Sequence, residues 1–504
     1  MNTFWIVVVM VAYLLGMLYI GFKSGKESDN SQSDFYLGGR KIGPLVTAMS
    51  AEASDMSSWL LMGLPGLAYL TGIADPGWTA IGLAIGTYLN WLLVSKKLRR
   101  YSEKLGAITV PDFFSKRYND KTNLISCIAA VIILIFFIPY TASGFKAIGT
   151  LFNSLFGVEY HQAMIVGALI IVAYTVMGGF LAVSTTDLIQ SIVMTIALFV
   201  IVVFGISQAG GLATVIENAK ALPNYLSLKG SYNIASNTSS PYSVLTIAST
   251  LAWGLGYFGM PHILLRFMAI RDEKELSTSR RIGTIWVIIS MTVAILIGVV
   301  GYSMSLNGTV PFLLTSSDSE TIIVKIAYLL SNNGILAAII AGLTMSGILA
   351  CTMSTADSQL LAASSSFSKN ILQDFFHVQM DDKKALRWAR GTVIGISLIA
   401  LILAWNPDSS VFTIVSFAWA GFGATFGPLM LCSLFWNRTT KQGALAGLIS
   451  GGAMVFIWKF LIKPMGGILG IYELLPAFIV SLIFIVVVSL MTKADDEIIK
   501  KLEE

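Results

Sequence analysis

Long apolar blocks, separated by short polar segments, dominate this sequence and limit what it can fold into. A block of about 20 residues is long enough for an α-helix to cross a hydrocarbon layer roughly 30 Å thick. Hydrophobic residues make up 55% of the 504 residues and charged residues only 12%, about half of the charged fraction in a soluble chain. The pattern predicts an all-α polytopic membrane protein embedded in a lipid bilayer.

The apolar blocks predict thirteen transmembrane helices. Lys and Arg accumulate in cytoplasmic connections, and most of the 33 basic residues lie in alternate connections and in the carboxyl-terminal tail. With an odd number of spans, this bias places the amino terminus outside and the carboxyl terminus in the cytoplasm. The expected spans are 3–21, 43–72, 77–95, 123–153, 162–180, 188–207, 243–268, 283–305, 333–365, 388–405, 411–436, 443–462 and 472–492.

The sequence lacks the residue patterns of enzymes and nucleic-acid-binding proteins. Cys127, Cys351 and Cys432 lie in apolar segments without the spacing of a metal site, and the three histidines are scattered. Residues 254–259 match a dinucleotide-binding fingerprint, but they follow no strand and lie in a predicted span. We therefore expect no enzymatic activity, no nucleic-acid partner and no obligatory protein partner.

Residues 51–66 are the most unusual part of any predicted span. They contain two acids, Glu52 and Asp55, followed by a Gly-Leu-Pro-Gly segment at 63–66. A charge near the bilayer centre costs at least about 2.5–3.5 kcal/mol, so it is rare without a partner or a water-filled cavity. We expect a helix break at 63–66 and an ion and substrate site near Asp55. The alternative is an acid that only pairs with a base, and Glu52 fits such a structural role better.

A second predicted span is interrupted in the same way. Residues 253–262 are rich in glycine and contain a proline, and paired Gly/Pro-interrupted spans indicate a transporter site between inverted repeats. Each interrupted span would begin a five-span unit, at 43–207 and 243–436, and an odd number of spans gives the two units opposite orientations. The single transporter domain, 1–504, would then add a span at 3–21, two spans at 443–492 and a cytoplasmic tail at 493–504.

Two further sets of residues suit a binding site. Residues 351–358 of the ninth span carry neighbouring hydroxyl groups and Asp357, and hard cations prefer such oxygen ligands, although hydroxyl residues also pack helices together in membranes. The aromatic residues Trp59, Tyr140, Trp253 and Tyr257 suit a pocket for an apolar ring with polar ends. Aromatic packing or an interfacial belt is the alternative.

At these residues the chain resembles the sodium/solute symporter family, in particular its bacterial proline-transporting branch. The resemblance covers nearly the whole chain and implies thirteen spans, with spans two to eleven forming the five-plus-five inverted repeat of the LeuT fold. The motifs that carry it are 35–40, 54–66, 253–262, 353–355 and 418–423.

The resemblance also implies a role for individual residues. Asp55 would lie close to the sodium ion, Arg40 would be functionally sensitive, and Asp187 would lie near a second cation site or the inward exit path. Sodium would be held by carbonyl groups of Ala53, Met56 and Cys351 and by the hydroxyl groups of Ser354 and Thr355. L-Proline would be held by Ser57, Trp59, Tyr140, Trp253, Tyr257 and Pro261.

This sequence departs from the family pattern at three positions. Ser58 and Glu52 stand where glycine is usual, and Asp357 stands where a small hydroxyl residue is usual. Asp357 and Ser358, with Ser354 and Asp187, therefore form a hypothetical second cation or proton site, the alternative being that Asp357 pairs with a nearby base.

The expected function is sodium-coupled symport of L-proline across the bacterial cytoplasmic membrane, with Na⁺ as the coupling ion. The alternatives are symport of another small amino or carboxylic acid, such as pantothenate, and a channel or sensor.

Overall fold

The structure, a computed structural model, describes residues 2–28 and 31–493. Its α-helices are α1 (Asn2–Ser28), α2 (Gln32–Leu37), α3 (Pro44–Asp55), α4 (Leu64–Thr71), α5 (Ala74–Leu89), α6 (Ser95–Lys104), α7 (Val110–Arg117), α8 (Leu124–Phe156), α9 (Tyr160–Gln208), α10 (Leu212–Lys220), α11 (Val244–Leu251), α12 (Pro261–Ala269), α13 (Leu276–Leu306), α14 (Ser316–Ser319), α15 (Ile322–Ser331), α16 (Ile335–Ser365), α17 (Asp382–Leu403), α18 (Val411–Phe435), α19 (Lys441–Ile457) and α20 (Leu474–Met491). The predicted tail lies outside the described residues except for Lys493.

Segments of other helical geometry extend several of these helices. Wider π-helical turns occur at Trp59–Gly63, Asn90–Val94, Ser366–Phe375 and Trp458–Ile462. Tighter 3₁₀ turns occur at Gly38–Arg40, Ala252–Gly259, Glu273–Glu275, Lys463–Met465 and Gly467–Gly470.

The described residues contain ten helices that are long and apolar enough to cross a membrane. They are Thr3–Lys23, Ala74–Lys104, Leu124–Phe156, Gly179–Gln208, Glu273–Leu306, Ile335–Phe375, Asp382–Leu403, Val411–Phe435, Lys441–Met465 and Leu474–Met491. Three shorter apolar helical segments, Trp59–Thr71, Tyr160–Ala173 and Val244–Gly259, lie in the remaining predicted spans. The chain is a helical polytopic membrane protein.

The first interrupted helix changes direction at Met56. Helix α3 ends at Asp55, Met56 lies outside it with ψ near 8°, and a π-helical turn resumes at Trp59. The predicted break at 63–66 is wrong, because Gly63 has helical dihedral angles and the helical segment continues from Trp59 through Pro65 to Thr71. Pro65 lies two residues after the wider π-helical turn Trp59–Gly63. Gly66 instead permits close packing, since a Cβ atom there would lie 2.8 Å from the Glu320 backbone nitrogen.

The second interruption falls within the predicted segment 253–262. Helix α11 passes into the 3₁₀ turns of Ala252–Gly259, Met260 is extended (φ −77°, ψ 108°), and α12 begins at Pro261. The 3₁₀ segment packs against α5 and α18. Gly86 and Gly254 allow the close approach to α5, because a Cβ atom on either would overlap the backbone of the opposing segment.

Helix α9 joins two predicted spans. It runs over 49 residues and is interrupted only at Gly179, whose φ of 61° and ψ of −170° are not helical. The sixth span was predicted to begin at 188, but the helix already resumes at Phe180. The polar residues 184–187 were left out of the predicted span, but three of them, Ser184, Thr186 and Asp187, are buried in the structure.

The connection at 208–242, between two predicted spans, contains secondary structure of its own. It holds the short helix α10 and a hairpin of β1 (Gly230–Asn233) and β2 (Thr238–Pro241). The strands are antiparallel, with Gly230 opposite Pro241 and Asn233 opposite Thr238. The prediction of an all-α fold missed this hairpin, which lies over the end of the helix pair α4 and α5.

Candidate functional site

Asp55 lies at the centre of the buried polar groups beside the first interruption. Its carboxylate oxygen Oδ2 accepts a 2.6 Å hydrogen bond from the Tyr257 hydroxyl, and its backbone oxygen accepts one of 3.2 Å from the Tyr140 hydroxyl. Asp55 therefore connects α3 with α8 and with the 3₁₀ segment. Its second carboxylate oxygen, Oδ1, is buried and has no hydrogen-bond partner in the part of the chain that the structure describes. A buried carboxylate oxygen left in this way is a favourable neighbour for a cation.

Aromatic side chains contact Asp55 and one another. The ring centroids of Trp59 and Trp253 are 6.3 Å apart, and the Trp59 indole nitrogen donates to the Asp55 backbone oxygen at 3.4 Å. The Trp59 backbone N–H donates to the Ser57 hydroxyl at 3.3 Å. Five of the six residues predicted to hold proline thus gather around the two interruptions. The sixth, Pro261, begins α12 just beyond the second interruption.

Trp419 completes this aromatic group and was not predicted as a site residue. Its indole nitrogen donates to the Trp253 backbone oxygen at 2.7 Å, and its ring packs edge-on against Tyr257 at 5.2 Å. The 3₁₀ segment leaves carbonyl groups that a regular α-helix would have used, and Trp419 satisfies one of them. Trp419 lies in the 418–423 motif, which the sequence analysis used only to recognise the family.

The predicted sodium ligands come from α16 and from either side of Asp55. Ala53 lies in the last turn of α3 and Met56 at the first interruption. Helix α3 packs against α16, which carries Cys351, Ser354 and Thr355. The Thr355 hydroxyl donates to the Cys351 backbone oxygen at 3.1 Å, and the Ser354 hydroxyl donates to Asp187. Because both hydroxyl groups direct their protons to other acceptors, their lone pairs remain available to a cation.

Asp187 and Arg266 form a buried ion pair behind this group. The Arg266 side chain is 1% exposed and lies 3.2 Å from Asp187 Oδ2, and the same oxygen accepts from the Ser50 hydroxyl at 2.6 Å. Asp187 Oδ1 accepts from Ser354. Asp187 therefore ties α3 to α16, the two helices that carry the predicted sodium ligands.

Arg266 lies near the end of the predicted span 243–268, but the sequence analysis did not single it out as a site residue. The residue belongs to α12 and is buried, because Asp187, Ser50 and Ser358 satisfy its guanidinium group. The signal that was missed is its neighbourhood, since Arg266 stands within an otherwise apolar run and an ionisable residue there indicates a functional site.

The hypothetical second cation site contains this same arginine. The Ser358 hydroxyl accepts from Arg266 at 2.6 Å and lies 3.3 Å from Asp357 Oδ1. The structure thus brings Asp187, Ser354, Asp357 and Ser358 together, with a guanidinium group among them. Arg266 is therefore the kind of nearby basic residue with which Asp357 would pair in the alternative interpretation.

Glu52 crosslinks helices instead of facing the aromatic group. Its oxygen Oε1 accepts from the Trp91 indole at 2.7 Å and from the Thr87 hydroxyl at 3.0 Å. Gly283 of α13 packs against the same carboxyl group. These contacts support the structural role that the sequence suggested for Glu52.

Arg40 fastens the end of the first interrupted helix to its neighbours. Its guanidinium group donates to the backbone oxygens of Ser102 at 3.1 Å and Ala107 at 2.8 Å, and also to that of Met268. Burial lowers the pKa of Arg40 to about 10, so the side chain remains charged at neutral pH. Arg40 thus links three parts of the chain that are well separated in sequence. Its role in function stays a prediction.

Many membrane-length helices, together with two interrupted helices beside buried polar groups, are the arrangement of a secondary transporter. The model of the sodium:solute symporter family matches residues 35–451. The chain belongs to the sodium:solute symporter family.

Relatives of this chain are proline transporters. It is 42% identical over 482 residues to the high-affinity proline transporter PutP of Bacillus subtilis (strain 168), covering 95% of this chain and 97% of the relative. It is 40% identical over 503 residues to the sodium/proline symporter of Staphylococcus aureus (strain USA300 / TCH1516), covering 97% of this chain and 93% of the relative.

Two solved structures share the fold. A substrate-bound, outward-open Na⁺-coupled sialic acid symporter matches with a TM-score of 0.78 at 17% identity, covering 97% of this chain and 99% of that chain. A nucleobase-cation-symport-1 family transporter in a closed conformation, with bromovinylhydantoin bound, matches with a TM-score of 0.58 at 13% identity, covering 94% and 99%.

Proposed function

We propose that this protein is a sodium-coupled symporter that takes up L-proline across the bacterial cytoplasmic membrane. The 40–42% identity to proline transporters over nearly the full chain supports the substrate and the coupling ion. The observation that carries the proposal is the buried Asp55 carboxylate, with one oxygen unpartnered among the described residues. It lies beside the aromatic group of Trp59, Tyr140 and Tyr257, on a helix that packs against α16 and its hydroxyl groups.

Sodium binds between α3 and α16. The carbonyl groups of Ala53, Met56 and Cys351 and the hydroxyl groups of Ser354 and Thr355 supply the oxygen ligands that a small hard cation prefers. Asp55 contributes negative charge beside this site.

L-Proline binds on the other side of Asp55. Its ring packs against Trp59 and Trp253, whose centroids are 6.3 Å apart, and Ser57, Tyr140 and Tyr257 offer polar contacts. Pro261 borders the pocket at the start of α12, where the N–H groups of a helix amino terminus favour a carboxylate.

The architecture that fits this mechanism has thirteen spans. The ten long apolar helices and the three shorter apolar segments support this number. The amino terminus lies outside and the carboxyl terminus in the cytoplasm, as the distribution of basic residues indicates. Residues 43–207 and 243–436 form the two inverted five-span repeats of the LeuT fold. The interruptions at Met56 and Met260 in the first helix of each repeat support this division.

Transport proceeds by alternating access. Sodium stabilises the outward-open arrangement and proline completes the site, so that joint occupancy favours closure outside and opening to the cytoplasm. The coupling must act in both directions, because each ligand changes the affinity for the other by the same factor. Each net positive charge that moves inward gains about 2.3 kcal/mol per 100 mV, which drives accumulation together with the sodium gradient.

The proposal is tested by uptake of labelled L-proline into proteoliposomes, with and without an inward sodium gradient. We expect saturable uptake that requires sodium in the wild type and loses most of its sodium dependence in Asp55→Asn, because the charge beside the cation is removed. Asp408→Asn, which neutralises an exposed acid, is the matched control and should transport normally.

Three outcomes would contradict the proposal. Uptake without sodium would exclude sodium symport. Sodium-dependent uptake of labelled pantothenate but not of labelled proline would change the substrate, and conduction without a fixed stoichiometry would indicate a channel. The hypothetical second cation site has a test of its own. If the site exists, Asp357→Ser should alter the sodium-to-proline stoichiometry or the pH dependence of uptake. If neither changes, the site is absent.

A further inference from the structure

The connection between α19 and α20 reaches the proposed proline pocket. We call residues 463–473 the α19–α20 connector. The ring of Tyr472 stacks on the indole of Trp253, with centroids 5.0 Å apart and planes inclined by only 19°. Stacking at this distance is a favourable aromatic arrangement. A residue outside the two proposed repeats therefore contacts a residue of the pocket directly.

Two hydrogen bonds hold Tyr472 over the pocket. Its backbone N–H donates to the Ser249 hydroxyl at 2.7 Å, and its own hydroxyl donates to the Ser416 backbone oxygen at 2.6 Å. Ser249 lies in α11, which leads into the 3₁₀ segment, and Ser416 lies in α18, which carries Trp419. Tyr472 thus connects α11, which leads into the 3₁₀ segment with Trp253, to α18, which carries Trp419.

A charge cluster around the buried Glu473 anchors the connector next to Tyr472. The Glu473 side chain is 1% exposed and pairs with Lys463 at 2.9 Å and with Lys459 at 3.4 Å. Lys463 also lies 5.9 Å from the centre of the Tyr472 ring. Because both lysines belong to the segment that follows α19, the two ends of the connector are tied together beside the pocket.

The positive-inside bias places this connector on the external side. Phe412 packs against another part of Trp253 at 5.4 Å and comes from the start of α18, whose preceding connection has the same predicted side. Trp253 thus contacts one ring from the connector and one from the first turn of α18, both on the predicted external side.

We infer that Tyr472 is the outer cover of the proline pocket and a positioning residue that acts through Trp253. It holds the indole in the orientation that packs against the proline ring. Its release from Ser249 and Ser416 opens the pocket to the outside, so the last two helices take part in external gating. This inference rests on the proposed function and on the external location of the connector.

The first test separates binding from turnover. In proteoliposomes, Tyr472→Ala should raise the KM for proline about tenfold, since losing the stacked ring and its burial is worth roughly one decade, while kcat changes much less. Tyr472→Phe keeps the ring and should raise KM only about twofold to threefold, the effect of one neutral hydrogen bond. Ile468→Ala, which truncates a 77% exposed residue of the same connector, is the matched control and should behave as the wild type.

The second test measures how far Tyr472 shields the pocket from outside reagents, and it does not depend on transport. A thiol is introduced by Ser249→Cys, in a background with the three native cysteines replaced by alanine, and treated from outside with a membrane-impermeant maleimide. Labelling should be slow with Tyr472 present and at least several-fold faster when Tyr472→Ala is added. Sodium with proline should slow labelling further only when Tyr472 is intact.

Unchanged KM and unchanged labelling in Tyr472→Ala would overturn the inference. If this variant fails to reach the membrane, Tyr472→Leu preserves much of the volume without the aromatic face and takes its place in both tests. Wild-type protein that takes up no proline would refute the proposed function alone, because the labelling rates would still decide whether Tyr472 covers the pocket.

Discussion

A single guanidinium group organises the polar interior of this protein. Arg266 donates to Ser50 at 3.0 Å, to the His262 backbone oxygen at 2.8 Å, to Asp187 at 3.2 Å and to Ser358 at 2.6 Å. These partners come from four helices, α3, α12, α9 and α16. Five fixed N–H donors suit such a task, and the single ammonium group of lysine does not.

We predict that Arg266→Gln destabilises the protein strongly. Asp187 would remain buried without its ionic partner, which costs about 3–5 kcal/mol. The double variant Arg266→Gln/Asp187→Asn removes both charges and should recover much of this loss. Thermal unfolding of the purified protein in detergent provides the measurement.

Arg271→Gln is the control, because Arg271 pairs with Glu275 on the exposed surface, where such a pair contributes about 0–1 kcal/mol. Equal stability of the single and double Arg266 variants would show that the burial of Asp187 does not depend on the ion pair. The half-saturating sodium concentration should also rise in Arg266→Gln, since Asp187 would no longer be held against Ser354.

At the level of helices, glycine has two distinct uses in this protein. Gly86 of α5 lies against Gly254, where an added Cβ atom would overlap backbone atoms. Gly391 and Gly395 of α17 have no atom within 4 Å of such a Cβ. Only the first kind of glycine fixes how closely two helices approach.

Gly86→Ala is therefore predicted to reduce both the amount of folded protein and proline uptake. The added methyl group would push α5 away from the 3₁₀ segment that carries Trp253 and Tyr257. Gly395→Ala is the matched control and should be neutral or slightly stabilising, because alanine is about 1 kcal/mol better than glycine in a helix. Fluorescence-detected size-exclusion profiles and uptake per folded molecule would measure both effects, and equal behaviour of the two variants would refute this distinction.

For the whole molecule, orientation in the membrane follows from the distribution of basic residues. The connection before α17, at 376–381, is predicted to lie in the cytoplasm and the α19–α20 connector outside. Val378 and Ile468, 42% and 77% exposed, are suitable reporters on the two sides.

In intact cells that express a cysteine-free variant, Ile468→Cys should react with a membrane-impermeant maleimide and Val378→Cys should not. Permeabilising the cells should make both thiols reactive, which controls for local accessibility. The reverse labelling pattern would invert the orientation and would place Tyr472 on the cytoplasmic side.

Hydrophobic patterning made the spans predictable, because a membrane-crossing helix must satisfy its own backbone and expose apolar side chains to lipid. Gly and Pro residues within apolar runs located two interrupted spans, although they placed the first interruption at 63–66 instead of Met56. Gly and Pro mark positions where a helix can break or pack closely, and composition alone does not separate these uses.

The sequence by itself determined the class of protein, the approximate spans and the residues beside the two interruptions, since these follow from local composition and short motifs. Only the tertiary structure decided that Arg266 is buried against Asp187, that Trp419 donates to the Trp253 backbone oxygen and that Tyr472 stacks on the Trp253 ring. These pairs are separated by 79, 166 and 219 positions. No local pattern encodes such contacts, because they depend on how the helices pack.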